Sequence, residues 1–154
     1  MKIAIGCDHG AFELKEMLIP HLRAAGHEIV DVGSYEVKRV DYPDIAVAIC
    51  EKVTSGECER GIALCGTGIG ISIACNKVNG IRCALCHDHF TAKLCRQHNN
   101  ANVLSMGGRT TGPEVAKEIV DTFLATEFEG DRHSLRLEKI AAIEASNKKW
   151  MDLI

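Results

Sequence analysis

A cysteine closing an apolar run, with three glycines in the next five residues, marks the stretch where chemistry is easiest to imagine: ALCGTGIGIS, Ala63 to Ser72. Core packing gives no reason for glycine at Gly66, Gly68 and Gly70. Close approach of backbone N–H groups to a developing negative charge does, so the stretch reads as an oxyanion cradle with Cys65 at its lip. Neither common nucleotide fingerprint fits. A dinucleotide loop needs its third glycine at position 71, which is Ile71, and a P-loop needs Gly-Lys-Ser/Thr. Cys65 itself is either a small packing residue, as most free thiols are, or a base or nucleophile favoured by the start of a helix.

Other groups suited to acid–base work or anion binding are scattered along the chain. Asp8 and His9 follow the first apolar run, and His98 with Asn99 follows a later helical pattern. Polar groups of this kind, converging at one ligand edge, are what proton transfer near neutrality requires. Arg132, His133 and Arg136 form a positive cluster with the two arginines one helical turn apart. Alone this is a solvated face; with Arg109 it makes a phosphate clamp, since guanidinium groups match phosphate in bidentate fashion. His87 and His89 form an H-x-H pair without an evident third ligand and read as loop residues.

Periodicity supplies the elements that position these groups. Short β-rich runs alternate with helical spacing. Lys2 to Cys7 precedes Ala11 to Ala25, and Glu28 to Val32 precedes a helix near Ile45 to Val53. Gly61 to Cys65 precedes one near Gly70 to Asn76, Arg82 to Cys86 precedes Thr91 to His98, and Asn102 to Met106 precedes Pro113 to Ala125. This is an α/β pattern: a single-domain, three-layer αβα sandwich over a five-stranded parallel, Rossmann-like sheet. Ligands of such folds bind beyond the carboxyl ends of the strands, which puts Asp8, His9, Gly66 to Gly70 and Arg109 in view. The tail, 131–154, carries an extra amphipathic helix with no strand of its own, of the kind that packs on a partner subunit, the alternative being a helix packed within its own chain. Strand order is not legible from the pattern.

Composition narrows the classes. With 154 residues and 46% hydrophobic content the chain suits one domain, and a formal charge of -3 gives no footing for nucleic acid or an anionic membrane surface. No signal-peptide pattern opens it and no run approaches a membrane span, so a cytoplasmic protein is expected. Its 8 cysteines are then expected to be thiols without disulfides. Cys83 and Cys86 fall within one strand, where the period of two turns them to opposite faces, which disfavours both a shared metal and a redox C-x-x-C.

Four stretches, GCDHGAFELK, CGTGIGISI, RQHNNANVLSMGGR and EGDRHSLRLEKI, occur in this order from Met1 to about Ser146. In these the chain resembles the ribose/galactose isomerase family, in its ribose-5-phosphate isomerase B branch. The resemblance implies a dimeric aldose–ketose isomerase, with tetramers open, acting on a sugar phosphate without metal or cofactor. It implies Cys65 as the base moving a proton between C1 and C2, with Thr67 assisting and the amides of Gly66, Thr67, Gly68, Ile69 and Gly70 holding the enediolate. Asp8 and His98 would open the furanose ring and Asn99 would hold a sugar hydroxyl. His9, Arg109, Arg132, His133 and Arg136 would take the phosphate, the last three from the neighbouring subunit. Ribose 5-phosphate is the expected substrate. Allose or galactose 6-phosphate, or a non-catalytic sugar-phosphate-binding role that needs neither Cys65 nor His98, are the alternatives.

Overall fold

Strand and helix alternate as the pattern requires in the computed structural model, which describes the backbone of residues 1–151 and the side chains of residues 1–146. The elements are β1 (Lys2–Cys7), α1 (Phe12–Ala24), β2 (Glu28–Asp31), α2 (Tyr42–Thr54), β3 (Arg60–Cys65), α3 (Ile69–Cys75), β4 (Cys83–Leu85), α4 (His89–Gln97), β5 (Val103–Gly107), α5 (Pro113–Ala125) and α6 (Arg132–Met151). A 3₁₀ turn, His9–Ala11, links β1 to α1. All neighbouring strands are parallel, in the order β2-β1-β3-β5-β4.

The sheet separates two cores because successive side chains of a strand point to opposite faces. Ile3, Ile5, Ile62, Leu64, Leu104 and Met106 pack with α1, α4 and α5. Ala4, Ala63, Cys65 and Val103 pack with α2 and α3 on the other side. The three-layer expectation therefore holds. The same alternation sends Cys83 and Cys86 to different cores, as the spacing predicts, with Cys86 just past the end of β4. All eight cysteines are free thiols. Of the tail, α6 passes the β4 end of the sheet, where Glu144 accepts the Gly80 N–H at 3.1 Å, and leaves Leu135, Ile140 and Ile143 exposed; residues 152–154 lie outside the described residues.

Most boundaries differ from the sequence reading by a residue, and β4, α2 and α4 by more. β4 is shorter than Arg82 to Cys86, and α2 begins at Tyr42 rather than near Ile45. In α2 the apolar period starts at Ile45, but Pro43 sits in the first turn, where its missing N–H costs nothing, so the helix starts earlier than its buried face. His89 is likewise the first residue of α4, not a loop residue, because the Asp88 side chain caps that helix by accepting the Thr91 N–H at 2.7 Å.

A buried lysine fixes the segment that leads to α2. Lys15 is fully enclosed, and its three N–H donors go to Asp31 Oδ1 (2.8 Å), Asp31 Oδ2 (2.7 Å) and Ser34 O (2.7 Å). Asp31 Oδ1 also accepts the Gly33 N–H at 2.9 Å. The lysine thus ties α1 to the end of β2 and to the loop beyond it. Replacing Lys15 by methionine fills the space but strands a carboxylate and a carbonyl. Urea denaturation should show a loss of about 3 kcal/mol in unfolding free energy, the cost of breaking a buried pair from one side.

Candidate active site

Strands β1, β3 and β5 are neighbours, so the residues that follow them, Asp8, Gly66 and Gly108, emerge side by side. The chain leaves β1 towards β2 on one side and continues with β3 on the other, making the gap between β1 and β3 the switch point where open α/β sheets bind ligands. The three loops touch. A Cβ on Gly10 would lie 3.0 Å from the Gly66 Cα, and one on Gly108 would lie 2.6 Å from the Gly10 carbonyl oxygen. Glycine at these points is what lets the loops close on one another. Asp8, nearly buried, caps the 3₁₀ turn by accepting the Gly10 N–H at 2.8 Å, which fixes its carboxylate at this edge.

Cys65 closes β3 with 4% of its surface exposed. Its sulfur is not enclosed by carbon alone: the Gly68 N–H donates to Sγ at 3.2 Å. That geometry needs Gly68 at φ 77°, a left-handed conformation that side chains disfavour. The Ile69 N–H donates to Thr67 Oγ1 at 3.3 Å. The amides of Gly66, Thr67 and Gly70 donate to no group among the described residues, so the free donors of the cradle are those three rather than all five. Arg109 crosses above, its backbone N–H donating to Gly66 O at 2.9 Å and its guanidinium Nη1 lying 3.3 Å from where a Gly66 Cβ would be. His9 is exposed beside a recess of about 130 Å³ shared with Gly10, Phe12, Val37 and Gly108. The neighbouring thiol Cys7 has a different character: burial pushes it up to about 11, leaving it protonated at neutral pH.

Tyr42 is the residue of this edge that sequence reasoning missed. A Cβ on Gly70 would lie 2.6 Å from the Tyr42 ring, so the aromatic side chain leans against the cradle through the space that glycine leaves. Its position held the signal: a residue opening the helix after a parallel strand stands at the same sheet edge as the strand ends.

The structure does not bring His98 and Asn99 to that edge, and the expectation that they converge there with Asp8 and Cys65 is corrected. α4 starts beyond the end of β4 and runs back across the sheet, its nine residues advancing about 14 Å. His98 therefore stands near the beginning of the strands. The Asn99 and Asn100 carbonyls accept the Arg82 side chain just before β4, and Asn102 O accepts the Gly61 N–H just before β5. The linker after α5 reaches the same end, where Glu129 N–H donates to Gln97 O at 3.0 Å and α6 begins with Arg132, His133 and Arg136. Within one chain the candidate residues thus form two groups. Asp8, His9, Cys65, Thr67 and Arg109 occupy one edge; His98, Asn99, Arg132, His133 and Arg136 occupy the other.

In the second group Arg132 and Arg136 are exposed while His133 is 2% exposed, its ring stacked on His98 with centroids 4.2 Å apart and planes 15° from parallel. Burial, then the charges of His98, Arg132 and Arg136, push the His133 imidazole below its ordinary range, against the pull of Glu129. His98, Glu129 and His133 offer ligand atoms within 4.8 Å of one another. Nearly parallel rings share no in-plane point, however, so a single ion could not meet both lone pairs without turning one ring. Beside this group a groove of about 910 Å³ runs between β4 and α6, floored by Ile81, Cys83, Ala84 and Ala101 and walled by Ile140 and Ile143.

Comparison with known proteins gives concordant results. A profile of the family described as Ribose/Galactose Isomerase matches residues 3–140. The chain is 49% identical to ribose-5-phosphate isomerase B of Escherichia coli over 93% of its own length and 96% of that protein's. It is 42% identical to galactose-6-phosphate isomerase subunit LacB of Clostridium acetobutylicum, over 90% of this chain and 80% of the subunit. Among solved structures, ribose-5-phosphate isomerase B of Clostridium thermocellum superposes with a TM-score of 0.94 at 49% identity, covering 96% of this chain and 99% of that one.

Proposed function

The chain belongs to the ribose/galactose isomerase family, and from that premise we propose that it interconverts ribose 5-phosphate and ribulose 5-phosphate through a cis-enediolate. Cys65 as thiolate takes the proton from C2 of the open-chain aldose. The C2–H electron pair becomes the C1–C2 double bond, and the carbonyl electrons move onto O1. Return of the proton to C1, with transfer of a hydroxyl proton between O2 and O1, gives the ketose. The free amides of Gly66, Thr67 and Gly70 meet the negative oxygen, and Thr67 Oγ1 assists the proton transfer. One observation carries this reading: a cysteine sulfur at the switch point of the sheet, with a backbone donor on it and unpaired backbone donors beside it.

The furanose must open first. Asp8 draws the proton from the anomeric hydroxyl while His98 gives one to the ring oxygen, and Asn99 holds a sugar hydroxyl. His9 and Arg109, with Arg132, His133 and Arg136, bind the phosphate. Because the two groups stand at opposite edges, a complete site takes Asp8, His9, Cys65, Thr67 and Arg109 from one subunit and His98, Asn99, Arg132, His133 and Arg136 from another. The active form is then a homodimer with two composite sites, the chain being one isomerase domain whose α6 packs on the partner. The exposed apolar residues of α6 and the groove beneath it support that assembly. Eight free thiols fit a reducing cytoplasm, and no helix among the described residues is long and apolar enough to cross a membrane.

The direct test mixes purified protein with ribose 5-phosphate in the presence of a chelator and follows ribulose 5-phosphate. Turnover should proceed with kcat/KM above that for allose or galactose 6-phosphate. A preference for either hexose phosphate would transfer the activity to the galactose side of the family, to which the 42% relative belongs. Binding without turnover would leave a sugar-phosphate receptor.

A further inference from the structure

The last turn of α4, from which His98 follows, contains a charged group to which the proposed reaction gives no task. Arg96 is 2% exposed, and each hydrogen-bond acceptor of its guanidinium is a neutral oxygen. Nη1 donates to Ala101 O at 2.6 Å and to Asn100 Oδ1 at 2.9 Å, while Nε donates to Thr126 O at 3.3 Å. Cζ lies 5.8 Å from the centre of the Phe123 ring. Enclosing a cation among neutral partners is costly, and packing alone gives no reason for a charge here. Two helix ends offset part of the cost. Arg96 stands in the last turn of α4 and Thr126 closes α5, where free carbonyls concentrate negative charge.

The guanidinium joins two segments that local structure leaves separate. Asn100 and Ala101 form the turn just past His98 and Asn99. Asn100 adopts φ 45° there, its N–H donating to Arg96 O at 3.1 Å and the Ala101 N–H to Cys95 O at 3.0 Å, the bonding that closes a helix. Thr126, 30 residues from Arg96, begins the linker that leads to His133, and the Glu129 N–H on Gln97 O continues the contact. At the end of that contact the His133 ring lies on the His98 ring. We propose that Arg96 is a positioning residue for His98: its guanidinium locks the last turn of α4 to the α5–α6 linker and so holds the His98 ring in place against the His133 ring. This rests on the reading of His98 as the ring-opening acid. A proton donor has to meet the ring oxygen at hydrogen-bond length, so small displacements of its helix end matter. The fork suits the task, because Nε and Nη1 donate from different sides of one rigid plane, whereas an ammonium offers a single centre on a flexible stem.

Arg96→Lys keeps a cation at the site but cannot span both segments. Judged folded by circular dichroism and sedimentation, it should lose about tenfold in kcat/KM for ribose 5-phosphate. The loss should vanish when His98 is absent. At low enzyme concentration, where the rate stays proportional to enzyme, the residual turnover of His98→Asn and of the Arg96→Lys/His98→Asn double variant should agree within about twofold. The same tenfold loss in both backgrounds would mark general damage to the fold and overturns the proposal, as does wild-type turnover in Arg96→Lys. NMR of the resting protein gives a second readout: the nuclear Overhauser contact between the His98 and His133 rings should weaken in Arg96→Lys, and an undiminished contact counts against the lock. Asn100→Gly covers an Arg96→Lys protein too unstable to assay. Glycine accepts φ 45° and removes only the Oδ1 acceptor, so this variant should fold and lose about threefold, again only with His98 present. Unchanged kcat/KM in Asn100→Gly would then overturn the proposal. Wild-type turnover in His98→Asn would defeat the ring-opening reading and this proposal with it, whereas an impaired His98→Asn with losses that simply multiply would defeat this proposal alone.

Discussion

Cys65→Ala should lose isomerase activity by about a thousandfold or more while the protein still binds ribose 5-phosphate, because the substitution removes the base and leaves the phosphate ligands and the backbone cradle in place. The expected signature is a collapse of kcat with the dissociation constant, measured calorimetrically, within about threefold of wild type; loss confined to kcat is the mark of a group used in the transition state. Cys65 packs in the α2–α3 core, so stability has to be followed in parallel. Cys65→Ser provides the check on that point. Serine keeps the volume and a hydroxyl acceptor for the Gly68 N–H, yet its oxygen is far too weakly acidic to act as the base, so this variant should be folded and nearly as inactive. A Cys65→Ser protein with wild-type turnover would remove the sulfur from the mechanism. The outcome also separates Cys65 from the other thiols: Cys7, one strand away and pushed up to about 11 by burial, cannot substitute for it at neutral pH.

How much of this was legible in the sequence depends on which property carried the information. The parallel sheet follows from apolar runs alternating with helical spacing, and the cradle from glycines at positions where nothing but close approach explains them; the contacts of Gly10, Gly68 and Gly108 give the reason in atoms. Direction was the property misread. His98 and Asn99 follow a helix that returns across the sheet, so being close to a strand in sequence put them at the strand beginnings, not the ends. The same bookkeeping of helix direction would have found Tyr42 at the edge of Cys65. Burial was not legible either. His133 sits between two arginines in a stretch that reads as a solvated positive face, and only the packing of the α5–α6 linker against α4 encloses it over His98. Stacking of this kind depends on contacts between segments about 35 residues apart, which no local periodicity encodes.

The separation of the two groups has its sharpest consequence in mixtures of variants. Cys65→Ala and His98→Asn chains should each be almost inactive towards ribose 5-phosphate, the first lacking the base and the second the ring-opening acid. If a site draws Cys65 from one subunit and His98 from the other, a dimer with one chain of each kind contains one site with both defects and one site with neither. Unfolding and refolding the two variants together at equal amounts pairs them at random, so half the dimers are hybrids and about a quarter of all sites are intact. Activity should therefore rise from near zero to about a quarter of the wild-type value. It should do so only when the chains are allowed to exchange, not when the folded variants are combined and assayed at once. If each site were completed within a single chain, the hybrid would hold two damaged sites, and the refolded mixture would be no more active than the average of its parents. The geometry favours recovery because the helix that carries His98 away from its own Cys65 also places it, with Asn99 and the start of α6, beside the exposed apolar groove that a second copy would cover.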